Sequence, residues 1–153
     1  MKKLFNQKLQ EAQNSNYHIG ICVRVLCGDK FLLLRRAPTD SGPGILENAG
    51  GSVDEGESLE EAACRELFEE AGITISTEQL EPLHIFEFHN KEKDVHNIKF
   101  AFKVSLKDEP SIILSDDHDH YIFMTQDEVE VLPRQGKDEN FVIWQDHHTL
   151  LTM

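Results

Sequence analysis

The segment 50–73 reads GGSVDEGESLEEAACRELFEEAGI. It constrains the chain more than any other stretch, because it bounds one helix at both ends and loads one of its faces with charge. Ser58 followed by Glu61 fits a capping box, in which each side chain satisfies a free backbone N–H at a helix start; Gly72 stands where a left-handed C-cap would close the last turn. The pattern predicts a helix from about Leu59 to Ala71. Glu66, Glu69 and Glu70 then fall at i, i+3 and i+4, side by side on the face that also carries Leu59, Ala62 and Ala63. Like charges at this spacing repel, and Arg65 supplies only one internal positive charge, so a bound cation is the expected resolution. Magnesium suits such a site, being a hard ion that binds a few carboxylates, keeps waters and takes its remaining ligands from substrate phosphates. The Gly-rich loop ahead of the helix can turn tightly and bring backbone groups up to an ion or a phosphate, and Glu57 lies where loop meets helix.

These residues resemble the Nudix hydrolase signature, G-x5-E-x7-R-E-U-x-E-E-x-G-U with U a bulky apolar residue. The fixed positions are met by Gly51, Glu57, Arg65, Glu66, Leu67, Glu69, Glu70, Gly72 and Ile73. Background residue frequencies put a chance match in such a chain on the order of one in ten million; the competing reading is an acidic amphipathic surface helix that ends in Gly. The resemblance implies an α/β/α sandwich around a mixed β-sheet. It also implies Mg²⁺-dependent hydrolysis, with Mn²⁺ as a substitute, of a nucleoside diphosphate linked to a further group. By the same resemblance Glu66, Glu69 and Glu70 bind metal with the Gly50 carbonyl, while Arg65 and Glu57 orient the helix and loop. Gly51 is placed against the substrate, and Glu66 or Asp117 takes the proton of the attacking water. The segment 44–51 resembles the family's strand and loop leading into the signature, with Ala49 where the family usually has Pro.

Composition narrows the partners. A chain of 153 residues, 39% hydrophobic and 28% charged, fits a single globular domain over 1–153, with residues 1–14 as a short amphipathic helix or a frayed peripheral arm. A formal net charge of -13 without a basic cluster argues against a nucleic-acid polymer or an anionic membrane as partner. Cys22, Cys27 and Cys64 form no CxxC pair and leave an odd count, the pattern of reduced thiols in a cytoplasmic protein. Lys2 and Lys3 are not followed by an apolar run, so no signal peptide is expected, and no segment reaches transmembrane length. A monomer or a homodimer is expected.

Along the chain, residues 19–26 and 31–36 read as two strands joined at Gly28-Asp29, and 37–45, rich in Pro and Gly, as an irregular connection. Arg36 ends the second strand, either touching substrate or forming a surface ion pair. Residues 83–88 and 98–104 read as a hairpin with a longer loop over 89–96. Its Phe86, Phe88, Phe100 and Phe102 read as core ahead of base-stacking groups. A short strand over 121–124 and helices over 126–132 and 140–151 complete the pattern, that of an α+β layered domain.

The second acidic stretch, 115–121, holds Asp116, Asp117, His118, Asp119 and His120. Alone it admits a transition-metal site or a solvated loop. By resemblance it is the family's late loop, with Asp117 and His118 in register with an acid and a His near the metal centre and Asp116 as a substitute. The substrate expectation is a nucleoside triphosphate cleaved to a monophosphate and pyrophosphate. The markers of ADP-ribose and diadenosine polyphosphate enzymes, a Pro near Phe88 and a Tyr between Ile73 and Tyr121, are missing. The alternatives are an NDP-sugar or other NDP-linked substrate, or a catalytically silent nucleotide-binding module.

Overall fold

The computed structural model describes residues 1–39, 43–132 and, as backbone, 142–143. The signature helix α2 spans Leu59–Ala71, with the reciprocal Ser58 and Glu61 capping box at its start and Gly72 in the left-handed region (φ 71°) at its end. Such a cap contributes about 1 kcal/mol. Leu59, Ala62, Ala63, Leu67, Glu70 and Ala71 form its buried face. Ahead of it α1 (Lys2–Asn14) is a docked helix, not a frayed arm. Phe5 is 2% exposed and meets Phe100 and Phe102 edge-on, with ring centroids 5.2 and 5.3 Å away.

The sheet is built on β1 (His18–Cys27), which runs parallel to β6 (Val95–Leu106) from His18 beside Asn97 to Cys27 beside Leu106. Outside β6 lies β5 (Glu81–Asn90), antiparallel to it. On its other side β1 meets β2 (Lys30–Arg36) only at Leu26–Phe31 and Cys27–Lys30. Beyond those rungs the hairpin opens. The chain from β3 (Ile45–Glu47) to β4 (Ala49–Ser52) lies across the opening, with β3 against β2 and β4 against β1. A Cβ on Gly50 would lie 2.3 Å from the Ile21 carbonyl oxygen, so only glycine allows β4 this close to β1. The far edge of β2 carries β7 (His118–Thr125), and a capping box at Thr125 starts the short α3 (Gln126–Glu130).

Alternation along β1 and β6 separates two faces. Ile21, Val23, Val25, Ile98, Phe100 and Phe102 share the core with Phe5 and the apolar face of α2. Gly20, Cys22, Asn97 and Lys99 belong to the other face, where they line a cavity. This decides the phenylalanines: Phe100 and Phe102 are core, as expected, whereas Phe88 is 44% exposed and borders the cavity.

Three expectations are corrected. The β5–β6 loop covers only residues 91–94, because the polar residues around it continue the strands and Asp94 takes a left-handed turn conformation (φ 50°). The last strand is longer than 121–124, since β2 pairs with it back to His118. The helix expected over 140–151 is replaced at Val142–Ile143 by β8, two β-branched residues parallel to β3; its remaining positions lie outside the described residues. Among the described residues no helix is long and apolar enough to cross a membrane.

Candidate functional site

The loop and first turns of α2 assemble around Arg65. Its guanidinium forks onto Glu57 (Nε to Oε2 2.7 Å, Nη2 to Oε1 2.9 Å), donates to Glu66 Oε1 at 2.9 Å and Glu69 Oε2 at 3.3 Å, and ties to the Ser52 carbonyl at 3.0 Å. Part of the carboxylate repulsion read from the sequence is thus relieved from within. The hydrogen bonds from Arg65 hold Glu57 below the usual carboxylate range, even against the small cost of desolvation. Glu66 moves the other way, pushed up by burial despite its contact with Arg65. Gly51 is matched to this arrangement, since a Cβ there would come within 2.5 Å of the Glu66 carboxylate.

A second cluster forms where three distant segments meet. The segment before β7 is strapped to the free carbonyls at the end of α2: Ile113 N–H donates to Ala71 at 2.9 Å and Ser115 N–H to Glu70 at 3.4 Å. Gly72 leaves room for the strap, because a Cβ there would lie 2.9 Å from Ile113. Ala37 N–H bonds the Asp117 carbonyl at 2.9 Å, and His118 pairs with Arg36 in the sheet. His118 is thereby driven inward. Its Nε2 lies 2.9 Å from Glu47 Oε1, and its Nδ1 lies 3.3 Å from Glu70 Oε2. Arg36 holds the other Glu47 oxygen at 2.8 Å, and Glu70 Oε1 accepts from the Gly50 N–H at 2.7 Å.

Burial is the largest single influence on each group of this cluster, but it decides the direction only for Glu70. It raises Glu70 to about 7, with the Gly50 N–H and His118 pulling down and Glu47 and Glu66 pushing up. For Glu47 burial is outweighed by hydrogen bonds from His118 and Arg36, which hold it below its ordinary value. For His118 burial is outweighed by Glu47 and Glu70, which hold it above.

Among the described residues, the group whose ligand atoms lie mutually within 4.8 Å is Glu47, Glu70 and His118. The structure therefore brings Glu70 into a buried cluster and leaves Glu66 and Glu69 turned to Arg65. Gly50 touches the cluster through its N–H. Asp117 and Asp116 are exposed, and Asp117 reaches His118 only as a nearby charge. Arg36 forms a half-buried ion pair with Glu47 and also borders the cavity. Sequence reasoning missed Glu47 and Asn48 as site residues, although a charge closing an otherwise apolar three-residue strand was the available signal.

The cavity, about 250 Å³, opens beside both clusters and is bordered by Arg36, Glu47, Asn48, Gly50, Gly51 and Lys99. On its wall the His18 ring is held between Asn97 Oδ1 (3.1 Å) and Ser52 Oγ (2.9 Å). Cys22 also lines it, its thiol pushed up to about 11 by burial. Asn48 is buried with neither side-chain amide atom hydrogen-bonded.

The NUDIX domain profile matches residues 16–145, so the chain belongs to the Nudix family. Solved structures agree on the fold. A MutT/nudix family protein from Enterococcus faecalis superposes with a TM-score of 0.67 at 21% identity, over 89% of this chain and 60% of that one. A MutT protein from Methanosarcina mazei Go1 gives 0.60 at 27% identity, over 74% of this chain and 80% of that one. The E. coli dihydroneopterin triphosphate pyrophosphohydrolase gives 0.59 at 26%, over 73% of this chain and 84% of that one. No match to a curated protein was found. Nudix enzymes use divalent metals, and the donor set fits one: carboxylates and an imidazole converge, and a glycine sits where any side chain would displace Glu66.

Proposed function

We propose that the protein is a divalent-metal-dependent pyrophosphohydrolase that cleaves a nucleoside triphosphate to a monophosphate and pyrophosphate. The observation that carries this reading is the placement of the carboxylates of one helix, backed by Arg65, against Gly50 and Gly51, which border a cavity together with Arg36 and Lys99. Glu66, Glu69 and Glu70, with Gly50, would hold the metal, which when bound neutralises phosphate charge and activates water. Arg65 fixes Glu66 and Glu69 through its own hydrogen bonds and braces the loop through Glu57 and Ser52. Water attacks phosphorus, the bridging P–O bond breaks, and the proton of the water passes to Glu66 or Asp117. Arg36 and Lys99 face the polyphosphate as cations, and Asn48 offers a substrate one unused donor and one unused acceptor.

The triphosphate preference draws support from one neighbour above 25% identity, which is a triphosphate pyrophosphohydrolase. Free thiols at Cys22, Cys27 and Cys64 support a reducing, cytoplasmic setting. The test is chromatography of products from a mixed panel of nucleotides with Mg²⁺. Monophosphate plus pyrophosphate from triphosphates is expected. Turnover of an NDP-linked compound with every triphosphate slower by about a hundredfold, roughly 2.7 kcal/mol in transition-state binding, would overturn the triphosphate assignment and keep the chemistry. Binding without turnover of any compound would make the chain a silent nucleotide-binding module.

A further inference from the structure

We propose that His118 is itself a metal ligand, its Nδ1 and the Oε2 of Glu70 forming a nitrogen and oxygen pair that selects a transition-metal dication such as Co²⁺, Fe²⁺ or Zn²⁺ over Mg²⁺. The inference takes from the proposed function only that a divalent cation binds here, and it names the class of ion.

The ring is fixed before any ion arrives. His118 is 5% exposed, and its Nε2 is engaged by Glu47 Oε1 at 2.9 Å, while Arg36 holds the other oxygen of Glu47 at 2.8 Å. A carboxylate on one ring nitrogen is the support that sets the tautomer and turns the other nitrogen toward a metal. Nδ1 is the nitrogen left over, buried and without a hydrogen-bond partner. Glu70 Oε2 lies 3.3 Å from it, beyond the range of about 2.7–2.9 Å for a charge-assisted bond. Two ligands of one ion with bonds of about 2.0–2.1 Å stand about 3.0 Å apart at a right angle and about 3.4 Å apart at a tetrahedral angle. The observed separation falls between them. The second Glu70 oxygen is occupied by the Gly50 N–H at 2.7 Å, so Oε2 is the one left to face an ion. An imidazole nitrogen matters to the choice, because Mg²⁺ prefers oxygen and dehydrates reluctantly, whereas later first-row dications bind nitrogen more tightly.

The competing occupant of the gap is a proton, with an imidazolium bridging two carboxylates. The experiment titrates nucleotide-free protein with Co²⁺ and with Mg²⁺ by calorimetry and records proton NMR of the Co²⁺-loaded form. A hyperfine-shifted, solvent-exchangeable imidazole N–H is expected in the wild type, from the Nε2–H held by Glu47, and it should vanish in His118→Gln. The same variant should lose about ten- to hundredfold in Co²⁺ affinity and less than roughly threefold in Mg²⁺ affinity. Absence of the shifted N–H in wild-type protein overturns the proposal without any variant having to fold, and so does equal loss of the two affinities in His118→Gln. Failure of the hydrolase reading is separable: a ring signal with no nucleotide turned over would keep this metal site and discard the reaction.

Discussion

The two acidic clusters meet on α2 and solve the same electrostatic problem differently. Around Arg65 the countercharge is permanent and shared, reaching Glu57, Glu66 and Glu69 from a side chain that is 27% exposed. Around His118, whose side chain is 1% exposed, Arg36 reaches Glu47 only, the countercharge nearest Glu70 is a titratable ring, and one ring nitrogen faces that carboxylate without a hydrogen bond. The first arrangement is complete as it stands and holds geometry. The second is costly without a further positive charge, since buried carboxylates are tolerated only when paired. Before any metal arrives the neighbouring clusters thus differ: in one a permanent cation already braces Glu66 and Glu69, and in the other a ring nitrogen and a carboxylate oxygen stand side by side without a bond between them.

The sharpest test of that difference is Glu70→Gln. Turnover with Mg²⁺ should fall by about three orders of magnitude, roughly 4 kcal/mol, while the metal-free protein gains about 2 kcal/mol, because Gln still accepts from the Gly50 N–H and carries no charge to bury. Kinetics beside metal-free melting curves measure both, and wild-type turnover in the variant would remove Glu70 from the chemistry. Arg65→Leu should act with the opposite sign on stability. Activity should drop about ten- to hundredfold as the carboxylates lose their brace, and the metal-free protein should lose about 1 kcal/mol. If both variants shift metal-free stability in the same direction, the contrast between the clusters fails.

The pH dependence of metal-free stability follows from the same comparison. Glu70 rises from 4.5 to about 7 on folding, so the folded state keeps a proton that the unfolded chain gives up. The stability tied to it is present below about pH 4.5 and is lost as pH rises through about 7. His118, raised from 6.5, acts in the same direction at the upper end of the range. Glu47 and Glu57 are lowered and act only in acid, below 4.5. Melting temperature should therefore fall between pH 5 and 8, and Glu70→Gln should flatten the slope; an unchanged slope in the variant would move the proton elsewhere. The smallest expected effect separates Asp117 from Asp116. Asp117→Asn should cost more activity than Asp116→Asn, because its charge is the one His118 feels. A loss of about a hundredfold or more in kcat would make Asp117 the proton acceptor, and equal small losses would return the segment to a solvated loop.

What could be read from sequence follows the range of the interactions. The bounds of α2 were legible because capping is local, and Arg65 was tied to its carboxylates because they lie within one turn or one loop of it. The buried cluster was only half legible. Glu47 and His118 are separated by 71 positions, and nothing local marks them as partners. Register with the family's late loop marked Asp117 and His118 together, but only the pairing of β7 with β2, which sets His118 beside Arg36, shows which way the ring turns. Strand parity also separated Phe88 from Phe100, which no periodicity argument could do without knowing which face of the sheet α2 covers. Val142 and Ile143 went the other way, from a helical pattern to a strand, because an edge of β3 was there to receive them.

The parallel pairing of β1 with β6 also sets how this site comes into being. His18 bonds Asn97 across 79 positions, and ten rungs of the sheet connect segments that far apart. Closing so long a loop precedes any return from the contacts it makes, and folding slows as the average separation of paired residues grows. The signature helix can gain its caps early and alone, yet Gly50 and Gly51 reach their carboxylates only after β4 has docked on β1. A nascent chain released as far as Ile73 therefore carries every signature residue and still lacks His118 and β6, the parallel partner of β1. Metal affinity should then appear late in refolding, in step with the slowest phase of strand assembly.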